Sequence, residues 1–165
     1  MRWFFAKGGL GLALPQVFII LGSESDRDYF SGIDKYFDYF GIVYELVVCS
    51  AHREPERLRA LLADAEARGS QVIIAGAGMA AHLAGACAAH TILPVIGVPL
   101  PGSSLDGLDA LLSTVQMPAG VPVATMALGR AGATNAAVFA AQIIARQSGE
   151  VAEKLRTFKQ KGCRL

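Results

Sequence analysis

Charge is the scarcest property of this 165-residue chain. Asp, Glu, Lys and Arg make up 18% of it, against a usual share of about 25%. The 15 basic and 14 acidic residues leave a net charge of +1. No basic run breaks that near-neutrality, which argues against a nucleic-acid partner or an anionic membrane surface. Long apolar runs are missing too, although hydrophobic residues reach 53%. Gly76, Gly78, Pro94, Pro99, Pro101, Gly102, Pro118 and Pro122 interrupt the most apolar stretch, well short of the roughly 20 residues a membrane-spanning helix needs. The three cysteines, Cys49, Cys87 and Cys163, are odd in number and lack metal-ligand spacing. They read as free thiols of a reducing cytoplasm, with no metal site.

The length suits one domain. Residues 1–15 hold a basic, apolar start, but Lys7 interrupts it and no small-x-small cleavage site follows, so the segment reads as an extension rather than a leader. Residues 16–147 form the expected α/β domain and 148–165 a C-terminal helical extension. From Gln71 to Ala145 the only formal charges are Asp106, Asp109 and Arg130. Faces so poor in charge are expected to be buried against identical chains, with the helices at 80–90 and 133–146 packing on neighbouring copies.

Apolar runs alternate with helix-like segments after Pro15. Val17 to Leu21 reads as a strand buried on both faces. Phe30, Ile33, Phe37 and Phe40 follow at helical spacing, ended by Gly41. A strand at 43–48, a turn, and a helix opened by Pro55 come next. Strands at 71–75, 94–98 and 122–126 alternate with helices at 80–90, 105–116 and 133–146. A last polar helix over 150–161 is expected to leave the body of the domain. Five such strands predict a parallel sheet covered on both faces, of order 2-1-3-4-5. Ligands then bind beyond the carboxyl ends of the strands where the order reverses. The loops to watch are therefore 22–26, 50–53 and 76–82.

The loop Gly22-Ser23-Glu24-Ser25-Asp26 joins a buried strand to a helix, so its N–H groups and hydroxyls can meet an anion, or simply cap that helix. Asp26 suits sugar hydroxyls rather than a phosphate. In Ser50-Ala51-His52-Arg53 a guanidinium able to fork onto phosphate sits beside an imidazole that exchanges a proton near neutrality. Gly76-Ala77-Gly78-Met79-Ala80-Ala81 matches the dinucleotide pattern of glycines between strand and helix. The acid expected at the end of the next strand is absent, since that strand ends Gly97-Val98-Pro99-Leu100. The glycines therefore read as a close backbone approach to a small anionic ligand, and His82 either as a hydrogen-bond donor to it or as a packed interface histidine.

Together, Gly22-Ser-x-Ser-Asp26, Ser50-Ala-His-Arg53, Gly76-Ala-Gly-x-Ala-Ala-His-Leu-x-Gly85 and the long stretch Leu108 to Thr125 resemble the 5-(carboxyamino)imidazole ribonucleotide mutase family of de novo purine synthesis. The likeness runs from Val17 to Arg146 in unbroken order. It implies a flavodoxin-like three-layer α/β/α sandwich, a homo-octamer, no metal and no organic cofactor. It implies a ribonucleotide substrate whose carboxylate moves from the exocyclic nitrogen to ring carbon C4 by way of CO₂. By the same resemblance His52 is the general acid and base. Ser23, Ser25, Asp26, Ser50 and Arg53 hold the ribose phosphate, while Gly76, Ala77, Gly78, Met79, His82 and Leu83 line the base and CO₂ pocket. Met79 stands where that family usually has glycine, and Ala84 where it usually has proline. Three other readings remain: a carboxylase that uses aminoimidazole ribonucleotide and CO₂ directly, an NAD-dependent oxidoreductase resting on the Gly76-x-Gly78 pattern, and a non-catalytic nucleotide-binding module.

Overall fold

The structure, a computed structural model, describes residues 14–165. At its centre lies β1 (Val17–Leu21), five residues with no exposed surface. A strand buried on both faces needs no polar alternation, which explains the unbroken apolar run. β2 (Tyr44–Val48) and β3 (Val72–Gly78) flank it in parallel. β4 (Val95–Leu100) and β5 (Ala124–Thr125) extend the sheet beyond β3. The order is β2-β1-β3-β4-β5, as expected.

Alternate side chains divide two cores. Val17, Ile19, Leu21, Val72, Ile74, Ile96 and Val98 face one layer, while Phe18, Ile20, Ile73, Ala75 and Val95 face the other. The first layer holds a 3₁₀ helix (Glu24–Phe30), α1 (Asp34–Phe40) and α5 (Gly129–Ile144). The second holds α2 (Pro55–Ala67) and α3 (Leu83–Ala88). α4 (Leu108–Val115) lies against β4 and β5. The result is the three-layer α/β/α sandwich of flavodoxin type.

Local chemistry moves several expected boundaries. The single helix expected through Phe30 and Phe40 is two elements, because Ser31 leaves the helical region and Gly32 takes φ +91°. Gly41 does end α1, in the left-handed conformation at φ +72°. α3 starts at Leu83 rather than near Ala80, and α5 starts at Gly129, four residues before the expected Ala133. Of the fifth strand, only Ala124 and Thr125 pair with β4.

The last helix, α6 (Gly149–Gln160), corrects the expectation that it leaves the body. Its polar composition disguises a stripe of Val151, Leu155 and Phe158, all buried in the first core. The Phe158 ring meets Phe40 edge-on at 5.5 Å and Tyr36 at 6.2 Å. The Tyr39 hydroxyl donates to the Lys154 carbonyl (3.3 Å). The N-terminal extension, apart from Leu14 and Pro15, lies outside the described residues.

The apolar excess between Gln71 and Ala145 is largely buried within the chain. Ala133, Ala136, Ala137, Ala140 and Ala141 of α5, at helical spacing, are all buried in the first core. The large apolar side chains of this stretch left in solvent are Met79, Ile92 and Leu128, each apart from the others, and a group formed by Leu108, Leu112 and Val115 of α4 with Leu105 just before it.

Phe158→Ala is expected to cost about 3 kcal/mol or more, the usual penalty for emptying a packed aromatic site. Denaturant unfolding measures it, and a loss below about 1 kcal/mol would mean that α6 lies outside the cooperative core.

Candidate functional site

The ladder sets the height of every functional loop. Leu21 lies abreast of Val48 in β2 and of Gly76 in β3. One residue further on, the Gly22 N–H donates to the Gly76 carbonyl (3.0 Å) and the Cys49 N–H to the Leu21 carbonyl (2.9 Å). Three chains thus leave the sheet together where the strand order reverses. Above them opens a cleft of about 900 Å³, within the usual range of small-molecule sites. Residues from all three loops line it, joined by Pro101 and Gly102 after β4.

The first wall is the 3₁₀ helix. Its three residues per turn set side chains three apart in line, and Asp26 and Tyr29 both line the cleft, with Ser23 at the extended N-cap position beside them. The Ser23 and Ser25 hydroxyls are hydrogen-bonded to each other at 3.0 Å. Neither Ser25 nor Asp26 caps the element: Ser23 holds the N-cap position and its side chain makes no capping bond. Burial pushes the Asp26 carboxyl above the usual carboxylate range, with a backbone hydrogen bond involving Ser23 opposing it. Glu24 also lines the cleft and makes an exposed pair with Arg27.

The second wall is the turn after β2. The Ser50 carbonyl accepts from the Glu54 N–H (2.8 Å), and the Ser50 hydroxyl from the Arg53 N–H (3.4 Å). This turn leaves His52 and Arg53 exposed and lining the cleft. Cys49, one residue inside, is fully buried, and burial pushes its thiol up from its usual value. It is no thiolate nucleophile.

The third wall departs most from the sequence pattern. Gly76, Ala77 and Gly78 belong to β3 itself, with Gly78 paired to Leu100. They form no turn before a helix, since α3 begins only at Leu83. A Cβ on Gly76 would lie 2.6 Å from the Phe30 ring, so packing from the first core explains this glycine. Gly76 is buried one residue below the cleft, whereas Ala77, Gly78, Met79 and Leu83 line it. The glycine geometry of a dinucleotide site is therefore not formed here.

Beyond Gly78 the backbone is tight. The Ala81 N–H donates to the Met79 carbonyl (2.9 Å) and the His82 N–H to the Ala80 carbonyl (2.7 Å). Met79 has φ +54°, in the left-handed region, which costs a residue bearing a Cβ roughly 1–2 kcal/mol. His82 is not among the cleft-lining residues, but its ring lies nearly parallel to that of His52, with centroids 6.1 Å apart and planes 15° apart.

Of the expected site residues, Ser23, Ser25, Asp26, Ser50, His52, Arg53, Ala77, Gly78, Met79 and Leu83 thus share one cleft. Gly76 lies beneath it and His82 beside His52. Tyr29, Glu54, Pro101 and Gly102 also line it without having been expected. For Tyr29 the signal was its spacing of three from Asp26, informative only once that element is known to be 3₁₀. Among the described residues no cluster of three His, Cys, Asp or Glu could hold a metal ion. No described helix is long and apolar enough to cross a membrane.

Because burial raises Asp26, the native state binds that proton more tightly than the unfolded chain does. Stability therefore falls as pH rises through the window between the ordinary carboxylate value of about 3.9 and the raised native one. Asp26→Asn removes the cost of the ionised group. Its melting temperature is expected above wild type at pH 7, with the difference closing below the ordinary carboxylate value. An unchanged or lower melting temperature at pH 7 would contradict this.

The family model described as AIR carboxylase matches residues 16–164. The chain is similar to the N5-carboxyaminoimidazole ribonucleotide mutase of Pseudomonas aeruginosa, 53% identical over 141 residues and 86% of each chain. It is similar to that of Saccharolobus solfataricus, 51% identical over 147 residues, covering 89% of this chain and 92% of the relative. The Escherichia coli K12 enzyme of the same name is 46% identical over 145 residues, 88% and 86% of the two chains. Among solved structures, Treponema denticola PurE superposes with a TM-score of 0.81 at 29% identity, covering 90% of this chain and 92% of that one.

Proposed function

The chain belongs to the AIR carboxylase family, and on that premise we propose that it is a 5-(carboxyamino)imidazole ribonucleotide mutase of purine biosynthesis. Its reaction product is the C4-carboxylated isomer, 5-amino-4-imidazolecarboxylate ribonucleotide. The observation that carries the reading is the convergence of His52 and Arg53 with Ser23, Ser25 and Asp26 on one cleft, together with the small and apolar residues Ala77, Gly78, Met79 and Leu83. A ribonucleotide with a carbamate needs those two kinds of wall: one to hold phosphate and sugar, the other to exclude water from CO₂.

Arg53 and the serine hydroxyls of the first two loops take the phosphate, where a guanidinium offers a fixed fork of donors. Asp26, an acceptor when ionised, takes sugar hydroxyls. The His52 imidazolium gives its proton to the carbamate nitrogen. The N–C bond breaks with its electron pair left on nitrogen, and CO₂ is released inside the cleft. Ring carbon C4 attacks the CO₂ carbon, and neutral His52 then removes the C4 proton to restore the aromatic ring. One proton is given and one recovered, so the net change is an isomerisation. His82, 6.1 Å from the His52 ring, stands close enough to orient the migrating carboxylate. No step draws on a metal or an organic cofactor.

A second reading is favoured by the description of the matching family model itself, AIR carboxylase. In it the enzyme takes aminoimidazole ribonucleotide and CO₂ directly, through the C4 attack alone. A coupled assay comparing the carboxyamino substrate with aminoimidazole ribonucleotide plus bicarbonate separates the two. Turnover of the first is expected; turnover of the second alone would make the chain a carboxylase, and of neither a binding module. His52→Asn is expected to fold and bind the ribonucleotide while losing turnover by about 100-fold or more, the usual scale of general acid–base catalysis. Near wild-type turnover would remove His52 from its role.

The homo-oligomer, an octamer by family resemblance, and a cytoplasmic location belong to the same proposal. Leu105, Leu108, Leu112 and Val115 support the first: they follow one another at spacings of three, four and three, each about half exposed. Such a stripe on one helix face suits packing against another copy. The three free thiols are in keeping with the second. Light scattering on the purified protein is expected to give a mass several times that of the 17.3 kDa chain, and a stable monomer would overturn the oligomer.

A further inference from the structure

We propose that Tyr29 is a base-contacting residue of the cleft, its ring packing on the aminoimidazole of the ribonucleotide while Asp26, one turn earlier, holds the sugar. This rests on the mutase reading and adds to it a specificity residue from the wall whose motif accounts only for phosphate and ribose.

The 3₁₀ helix sorts its side chains. Asp26 and Tyr29 are half-buried and line the cleft, whereas Arg27 and Asp28 between them are exposed and do not line it. Three residues at about 2.0 Å of rise each set the two about 6 Å apart along the axis. A ribonucleotide makes a step of the same order from its sugar hydroxyls to its base. With the serine hydroxyls at the head of the helix on the phosphate and Asp26 on the sugar, the base falls at Tyr29.

The neighbours of the two residues follow the same order. A Cβ on Gly22 would lie 3.5 Å from the Asp26 carboxylate and 3.4 Å from the Ala77 Cβ, so Asp26 adjoins the end of β3. A Cβ on Gly129 would lie 3.6 Å from the Tyr29 ring and 3.5 Å from the Pro101 ring, and one on Gly78 would lie 3.7 Å from the Pro101 carbonyl oxygen. Pro101 thus links the Tyr29 side of the cleft to Gly78, where small residues leave room for a flat ring.

Tyr29 is also held in place before any ligand arrives. Its ring packs on the first core. Phe30, next in the chain, packs over Gly76, and the Arg130 guanidinium at the start of α5 donates to the Ser31 hydroxyl. A ring fixed in this way meets a ligand without the entropy cost of being ordered by it.

The test compares two ligands on the full-length protein by calorimetric titration. One is aminoimidazole ribonucleotide; the other is ribose 5-phosphate, which has the phosphate and sugar but no base. Tyr29→Ala is expected to weaken the ribonucleotide about fivefold or more, the scale of a lost base–aromatic contact, and to leave ribose 5-phosphate within about twofold of wild type. Tyr29→Leu, which keeps apolar bulk against the first core, is expected to lose affinity in the same base-dependent way, and Tyr29→Phe to recover most of it. Equal weakening of both ligands in the alanine and leucine variants overturns the proposal, because Tyr29 would then only shape the helix. Unchanged affinity for the ribonucleotide overturns it as well. A wild-type protein that forms no isomer from the carboxyamino substrate overturns the mutase reading instead.

Discussion

The parallel ladder around β1 is the constraint on which the rest of the molecule depends. β1 is hydrogen-bonded on both sides and shut off from water on both faces, so its register with β2 and β3 cannot slip without exposing a core. That register brings Gly22, Cys49 and Ala77 to one level. The cleft follows from it, with the His52 imidazole and the Arg53 guanidinium on its lining. Hydrophobic burial, which has no direction of its own, is converted by the ladder into the placement of polar groups.

The walls of the cleft differ because their elements do. A 3₁₀ helix aligns every third side chain, so Asp26 and Tyr29 lie in line, and its N-cap Ser23 with Glu24 and Ser25 completes a polar wall. The turn after β2 is held by its own backbone and leaves His52 and Arg53 free for a ligand. The segment after β3 is apolar and tightly wound, closed by the Ala81 to Met79 and His82 to Ala80 hydrogen bonds. Ionisable side chains and small apolar ones thus come to the same opening from different loops.

Much of this was legible in the sequence where a residue's chemistry and its neighbourhood pointed the same way. The run Val17 to Leu21 announced a buried strand, and His52-Arg53 at a strand end announced a site. What was hidden depended on contacts between distant segments. Gly76 looked like a ligand-binding glycine, yet it is small because Phe30, far back in the chain, packs over it. α6 looked like a polar appendage because only three of its residues, Val151, Leu155 and Phe158, are buried. The 3₁₀ helix was invisible because Phe30, Ile33, Phe37 and Phe40 keep α-helical spacing across a break made by Ser31 and Gly32. Periodicity records which residues are buried, not the rise of the backbone between them.

β5 has a consequence for solubility. At Ala124–Thr125 the sheet ends in a strand of two residues, too short to offer a foreign strand a ladder of free N–H and carbonyl groups. Open sheet edges invite uncontrolled polymerisation, and proteins commonly blunt them by shortening the last strand. A chain this poor in charge has little electrostatic repulsion to keep its copies apart. The edge beside the exposed leucines of α4 is thus the blunted one, while the other edge, β2, keeps five residues of backbone.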